Sequence, residues 1–287
     1  MCRHVQDIAE LHGLPTSRVT LQYGDGRVID TAHARVVYHG VRSVVIELPD
    51  CTVKIAPPDV IEAECSAHAA LDHHHNIRKS SGRCAVFPAS LGLGGILLEG
   101  PGLPVSREDV KQDFSRLFAA ALAALTYVHS TGHLHRDVKL SNMVCVRGVL
   151  KLNDFETVCR DPSARPVLGT PLYHSGVHPS HFETADDLFA LVVSFAEPHI
   201  MDLARMDFDQ RCRAVVSAAE NAIRVSAFTE RVSTVMSTIR ARGGASNIHS
   251  DTHTSLHNSL EFFLEQSFNA APGIVERTDF DGLTLSS

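Results

Sequence analysis

Residues 135–142 carry the clearest chemistry in the chain. They read His-Arg-Asp-Val-Lys-Leu-Ser-Asn, so an acid, a basic residue and an amide follow one another closely behind a hydrophobic lead-in. This spacing suits a loop that handles phosphate: Asp137 can accept a proton, Lys139 can neutralise phosphate and Asn142 can bind a metal ion. A string of this length is poorly explained by chance. We therefore expect residues 135–142 to form a loop that handles phosphate.

A β-rich segment precedes this loop and has to position part of the site. β-Branched residues, and turn or breaker residues such as Pro49-Asp50 and Pro57-Pro58, divide it into short elements. The pattern predicts a helix from Val60 to about Asp72, capped by Asp59. The predicted strands are residues 34–38, 43–48, 51–56, 85–91 and 95–98.

The pattern becomes helical beyond the breaker cluster Gly100-Pro101-Gly102. Apolar residues recur at helical spacing over 109–130, a strand is predicted at 149–152, and 185–196 is typical of a buried helix. The remainder to about residue 267 also looks helical, with an interruption rich in Gly, Ser and His at 243–258. We expect a β-rich lobe, a hinge and a helical lobe. The corresponding boundaries are an extension at 1–33, a first lobe at 34–99 and a second lobe at 100–287.

Composition limits the class of protein. The chain has 287 residues, of which 44% are hydrophobic and 21% charged, enough for a real core. A net charge of -7 without a basic tract argues against a nucleic-acid partner. The apolar runs are too short to span a bilayer, the N-terminus lacks a signal-peptide pattern, and the seven cysteines form no CxxC pair. We expect no membrane partner and a cytoplasmic location, with the nucleus as the alternative compartment.

Residues 135–142 resemble the catalytic loop of the protein kinase superfamily, and other motifs agree in chain order. Lys54, on the third predicted strand, resembles the family's phosphate-binding lysine, and Glu64 on the following helix resembles its partner; Glu62 is the rival on another helix face. Asp154-Phe155-Glu156 stands where the family carries Asp-Phe-Gly. The resemblance implies an α+β, two-lobed kinase-like fold that uses ATP and Mg²⁺, with Asn142 and Asp154 as metal ligands.

The resemblance also assigns a nucleotide site. Leu98 takes the gatekeeper position, the Glu99 carbonyl is expected to face the adenine amine, and Pro101 lacks the N–H that many kinases offer to the base. The glycine-rich loop keeps only its middle glycine. The residues implied to contact the nucleotide are Gly40, Ser43, Val45, Lys54, Leu98, Glu99, Pro101 and Val144.

Two further motifs concern the order of the loop. Thr170, in the string Gly-Thr-Pro-Leu-Tyr, resembles the end of an activation segment and is expected to bond Asp137 and Lys139. The family's Ala-Pro-Glu is replaced by Ser-Gly-Val at 175–177. Asp187 resembles the buried aspartate that braces the catalytic loop. Arg136 precedes Asp137 as in kinases whose activation segment is ordered by phosphorylation, with Ser163 or Thr157 as the acceptor. The alternative is that both are ordinary loop residues at the surface.

Three functions follow from this resemblance. The first, which the sequence favours, is an active Ser/Thr protein kinase acting on a protein substrate, with Asp137, Lys139, Lys54 and Glu64 in the catalytic set. The second is a pseudokinase that binds nucleotide or acts as a scaffold. The third is a small-molecule kinase of the choline or aminoglycoside type, suggested by Asp-Phe-Glu at 154–156.

Overall fold

The computed structural model describes residues 20–30, 34–39, 43–71, 73–87, 89–164, 169–176 and 181–242. These belong to one compact unit, Met1–Ala245; the second unit, Ser246–Ser287, lies outside the described residues, as does the predicted interruption at 243–258. No helix in the described part of the chain is both long and apolar enough to cross a membrane.

The first lobe is built on a six-stranded antiparallel sheet, in the order β1-β5-β6-β4-β3-β2. Alternating burial along β3, with Val44 and Ile46 inside, is the pattern of a strand with one face in a core. The strands are β1 (Thr20–Tyr23), β2 (Arg35–His39), β3 (Val44–Glu47), β4 (Cys51–Ala56), β5 (Ser80–Phe87) and β6 (Gly94–Glu99).

Strand β1 lies ahead of residue 34, where the sequence placed the start of the first lobe. It pairs with β5 from Thr20↔Phe87 to Tyr23↔Cys84, and Leu21 enters the sheet core fully buried. Only one of its four residues is buried, which leaves no alternating pattern to detect. Part of the predicted extension therefore belongs to the sheet.

Helix α1 (Pro58–Leu71) crosses this sheet and begins two residues before the predicted start. Pro58 fits there because the first helical turn needs no N–H donor and proline already has helical φ. Val60 and Ile61 pack on Ile96 and Leu98 of β6. This packing fixes the helix face that carries Glu64.

The second lobe is mainly helical. Its strands are β7 (Leu103–Pro104), β8 (Met143–Val146) and β9 (Val149–Leu152), and its main helices are α2 (Arg107–Gln112), α3 (Phe114–Ser130), α4 (Thr184–Ala196), α5 (Phe208–Ser217) and α6 (Ser226–Ala241). A buried aromatic cluster joins α3, α4 and α6, with Phe118 in edge contact with Phe195 and Phe228. The expected α+β, two-lobed architecture is confirmed.

The helix predicted at 109–130 is two helices. A capping box between Ser106 and Asp109 starts α2, and Asp113 then leaves helical geometry with φ −136° and ψ 45° before α3 begins. The apolar spacing that predicted one helix continues across this break. The prediction of one continuous helix was wrong.

Candidate active site

The loop at 135–142 is attached to helix α4 through Asp187. The backbone N–H groups of His135 and Arg136 each donate to this carboxylate at 2.7 Å, and His129 Nε2 lies 2.9 Å from it. Asp187 is fully buried, so these partners offset the cost of burying its charge. Arg136 has φ +71°, a conformation that costs a non-glycine residue about 1–3 kcal/mol. Asp187 therefore holds the loop in a strained shape.

Asp137 is surrounded by hydrogen-bond donors. Lys139 Nζ lies 2.8 Å from Oδ2, and the Thr170 N–H and hydroxyl donate to Oδ1 at 3.0 and 2.9 Å. Lys139 Nζ also donates to the Thr170 hydroxyl at 2.8 Å, and Asn142 Nδ2 donates to Asp137 Oδ2 at 3.0 Å. Burial would raise the pKa of Asp137, but Lys139 and Thr170 outweigh it and hold the pKa below its usual value. Asp137 is thus an ionised carboxylate at neutral pH.

Gly169 allows this cluster to form. A Cβ at this position would lie 2.3 Å from the Arg136 carbonyl oxygen, closer than any side chain tolerates. The absence of a side chain lets the segment before Thr170 lie directly against the loop. The contacts expected between Thr170, Asp137 and Lys139 depend on this close approach.

Lys54 is enclosed by three carboxylates. Its Nζ lies 2.8 Å from Glu64, 2.6 Å from Asp154 and 2.8 Å from Glu156. Burial would lower the pKa of Lys54, but these carboxylates, Glu64 foremost, raise it above its usual value. Glu62, the rival to Glu64, instead pairs with the exposed Arg83 at 2.6 Å. The Glu156 contact did not follow from the sequence.

Asp154 and Asn142 lie on neighbouring backbone segments, because the Asn153 N–H donates to the Asn142 carbonyl at 2.9 Å. Asn142 turns its amide nitrogen toward Asp137, so its Oδ1 is the atom that could bind a cation. Burial raises the pKa of Asp154, and Lys54 opposes that rise. Oxygen atoms of this kind suit Mg²⁺, and the donor set therefore fits the implied metal.

Phe155 connects helix α1 with the catalytic loop. Its fully buried ring meets the His68 ring edge-on with centroids 5.0 Å apart, and the His135 ring lies 5.3 Å away. Thr157 is also buried and donates to the His135 carbonyl at 2.7 Å. That position makes Thr157 a loop-fixing residue rather than an accessible phosphorylation site, whereas Ser163 is exposed.

The implied nucleotide residues come from β3, β4, the end of β6 with the residues after it, and β8. Ser43 and Val45 are half-buried at β3, with Val45 paired to Lys54, whereas Leu98 and Val144 are buried and Pro101 is exposed. Gly40 lies outside the described residues. The Glu99 carbonyl accepts hydrogen bonds from Arg78 Nε and Nη2 at 3.2 and 3.1 Å. The group expected to face the adenine amine thus has a protein donor.

The segment after Thr170 lacks the Ala-Pro-Glu motif but is anchored by other contacts. Tyr173 donates its hydroxyl to Glu197 at 2.7 Å, and Arg107 pairs with the same carboxylate. Arg211 Nη1 donates to the Leu172 carbonyl at 2.6 Å. Burial, followed by the hydrogen bond to Glu197, raises the pKa of Tyr173, so the hydroxyl stays protonated. Sequence reasoning missed these anchors because each joins distant residues.

Comparison with known proteins agrees with this geometry. The family model described as "Protein kinase domain" matches residues 105–232. The CBL-interacting serine/threonine-protein kinase 20 of Arabidopsis thaliana is 27% identical over 207 residues, covering 64% of this chain and 46% of that protein. The serine/threonine-protein kinase Tao of Drosophila melanogaster is 33% identical over 64 residues, covering 22% of this chain and 6% of that protein. The matched region covers less than half of each relative. The match over residues 105–232, which contain the catalytic loop and Asp187, and the similarity to these two serine/threonine-protein kinases support a protein kinase domain in this chain.

Proposed function

We propose that this chain transfers a phosphoryl group from ATP to a serine or threonine hydroxyl of a protein substrate. The observation that carries the proposal is the Asp137 cluster, in which one carboxylate contacts Lys139, Thr170 and Asn142 together. An acceptor for the hydroxyl proton, a cation for phosphate charge and an amide for a metal are thereby within one short loop.

Asp137 is the group that would accept the hydroxyl proton. Its depressed pKa keeps it ionised, and the donors from Thr170 and Lys139 fix the direction of its oxygens. A fixed and ionised carboxylate can orient the incoming hydroxyl in line with the phosphorus atom. Lys139, 2.8 Å from the same carboxylate, is placed to offset negative charge that develops nearby.

Bound Mg²⁺-ATP would supply the phosphoryl group and the cation that neutralises its charge. Asn142 Oδ1 and the Asp154 carboxylate would hold that cation. Lys54, positioned by the fully buried Glu64, would bind phosphate oxygens. Each of these roles uses a side chain that other residues already hold in place.

A pseudokinase is the second candidate, and one contact favours it. Glu156 Oε2 lies 2.8 Å from Lys54 Nζ and would compete with phosphate for the lysine. The Lys139–Thr170 contact belongs to the pattern of protein kinases, so we rank a small-molecule phosphotransferase below both. The cytoplasmic location stays a prediction from composition.

The test is phosphate transfer from labelled ATP, with Mg²⁺ and a mixed protein substrate. We compare the chain with Asp137→Asn and use Asp202→Asn as a matched control, because Asp202 is exposed and distant in sequence from the loop. Loss of the base should reduce the rate by about 10²–10⁴-fold, whereas the control should keep it. If the chain binds nucleotide but shows no transfer that is lost in Asp137→Asn, the result would support the pseudokinase. Transfer to small alcohols or amines alone would support the third candidate.

A further inference from the structure

Arg78 is a buried cation in an unusual setting. It lies between α1 and β5, is 3% exposed, and forms an ion pair with no carboxylate in the described part of the chain. Its guanidinium instead bonds neutral oxygens. Nη2 donates to the Thr52 hydroxyl at 2.6 Å and to the Glu99 and Gly100 carbonyls at 3.1 and 3.0 Å. Burial lowers the pKa of Arg78 to about 10, so it remains protonated at neutral pH.

One of these partners, the Glu99 carbonyl, belongs to the implied adenine site. Thr52 precedes Lys54 by two residues on β4, so both side chains project from the same face of the sheet. A Cβ built on Gly102 would lie 3.1 Å from Val144 Cβ and 3.4 Å from Arg78 Nη2. The guanidinium and Val144, one of the residues implied to contact the nucleotide, therefore lie against the same short stretch of backbone.

The guanidinium also makes the contacts that a base would make. Glu99 offers a carbonyl oxygen suited to an amino group, and Arg78 already donates two N–H groups to it. A base entering the implied adenine site would have to replace those hydrogen bonds. Pro101 cannot contribute a backbone N–H in return.

We propose that Arg78 is a specificity-determining residue that fills the base subsite, so that nucleotides bind this chain through their phosphates with little discrimination between bases. This inference rests on the proposed nucleotide-binding function, but it concerns only the base end of the cleft. The phosphate end, around Lys54 and Asp154, is a separate set of contacts.

The test is titration calorimetry of Mg²⁺-ATP and Mg²⁺-GTP, which measures binding without requiring transfer. The variants are Arg78→Val and, as a matched control, Lys79→Val, because Lys79 is the exposed neighbour. For the unaltered chain and the control, we expect the two dissociation constants to agree within about threefold. Arg78→Val should tighten ATP by about tenfold or more, because the freed Glu99 carbonyl can accept the adenine amine. GTP should change by less than about threefold, because guanine presents an oxygen to that carbonyl.

A second variant guards against a folding defect in Arg78→Val. Thr52→Val removes the nearest acceptor of the guanidinium with little change of shape, and should tighten ATP by about threefold. Unchanged ATP affinity in both variants, or equal tightening of ATP and GTP, would overturn the proposal. The proposed function is tested by a different experiment, the phosphate-transfer assay. It would fail if transfer did not depend on Asp137, whatever the result of the binding measurements.

Discussion

Replacing Asp187 with asparagine should detach the catalytic loop from helix α4. The carboxylate accepts from the His135 and Arg136 N–H groups at 2.7 Å each and lies 2.9 Å from His129. Asparagine keeps one oxygen, but its amide nitrogen would face a donor. One buried N–H therefore loses its acceptor, and the remaining bonds lose the benefit of the charge.

The size of the effect follows from these contacts. Hydrogen bonds to a charged group contribute about 1.5–3 kcal/mol each, and a buried donor left without an acceptor costs about 1–3 kcal/mol. We therefore expect Asp187→Asn to lower the free energy of unfolding by about 3–5 kcal/mol. With Arg136 no longer held at positive φ, phosphate transfer should fall as well.

Urea unfolding measures this change through the transition midpoint at unchanged slope. Asp202→Asn is the matched control, because its side chain is 66% exposed and its φ of +55° suits asparagine; it should alter stability by less than about 0.5 kcal/mol. A loss below about 1 kcal/mol for Asp187→Asn would refute the claim that this carboxylate holds the loop.

Two other predictions concern the carboxylates around Lys54. Glu156→Gln removes the charge that competes with phosphate for Lys54 Nζ, so the dissociation constant of Mg²⁺-ATP should fall by about threefold or more in calorimetry; weaker binding would contradict this. Burial would raise the pKa of Glu64, but Lys54 lowers it below 4.5, so the pair stabilises the fold above pH 4.5. The free energy of unfolding should therefore decline as pH falls below 4.5, and Glu64→Gln should flatten that decline. An identical pH profile for the variant would exclude this pair as a cause.

Short sequence motifs predicted the residues of the site better than they predicted the contacts that surround it. Residues 135–142 specify their own chemistry through short spacing, and the contacts of Thr170 with Asp137 and Lys139 are present as the resemblance implied. Arg78 was missed for the opposite reason. Its partners, Thr52 on β4 and Glu99 on β6, are distant from it in sequence. Neither residue type indicates from the sequence alone that it contacts an arginine.

The elements of the fold also differ in how far the sequence predicts them. Helix α4 could be predicted because its side chains carry a clear pattern, whereas β1 depends on backbone pairing with β5. The strand predicted at 85–91 was misplaced: β5 begins at Ser80 and ends at Phe87, and residues 89–91 form a short 3-10 turn. The break at Asp113 was hidden because the apolar spacing of α3 continues through α2. Contacts that depend on backbone geometry leave little trace in composition or periodicity.

Asp137 is proposed as the base of a phosphoryl transfer to protein hydroxyls. The most direct test of this role is the rate at which labelled phosphate from ATP appears on serine and threonine, for the unaltered chain and for Asp137→Asn. We predict stable phosphoserine or phosphothreonine from the unaltered chain and a rate lower by about 10²-fold or more for the variant. Equal rates for the two proteins would show that Asp137 is not the base.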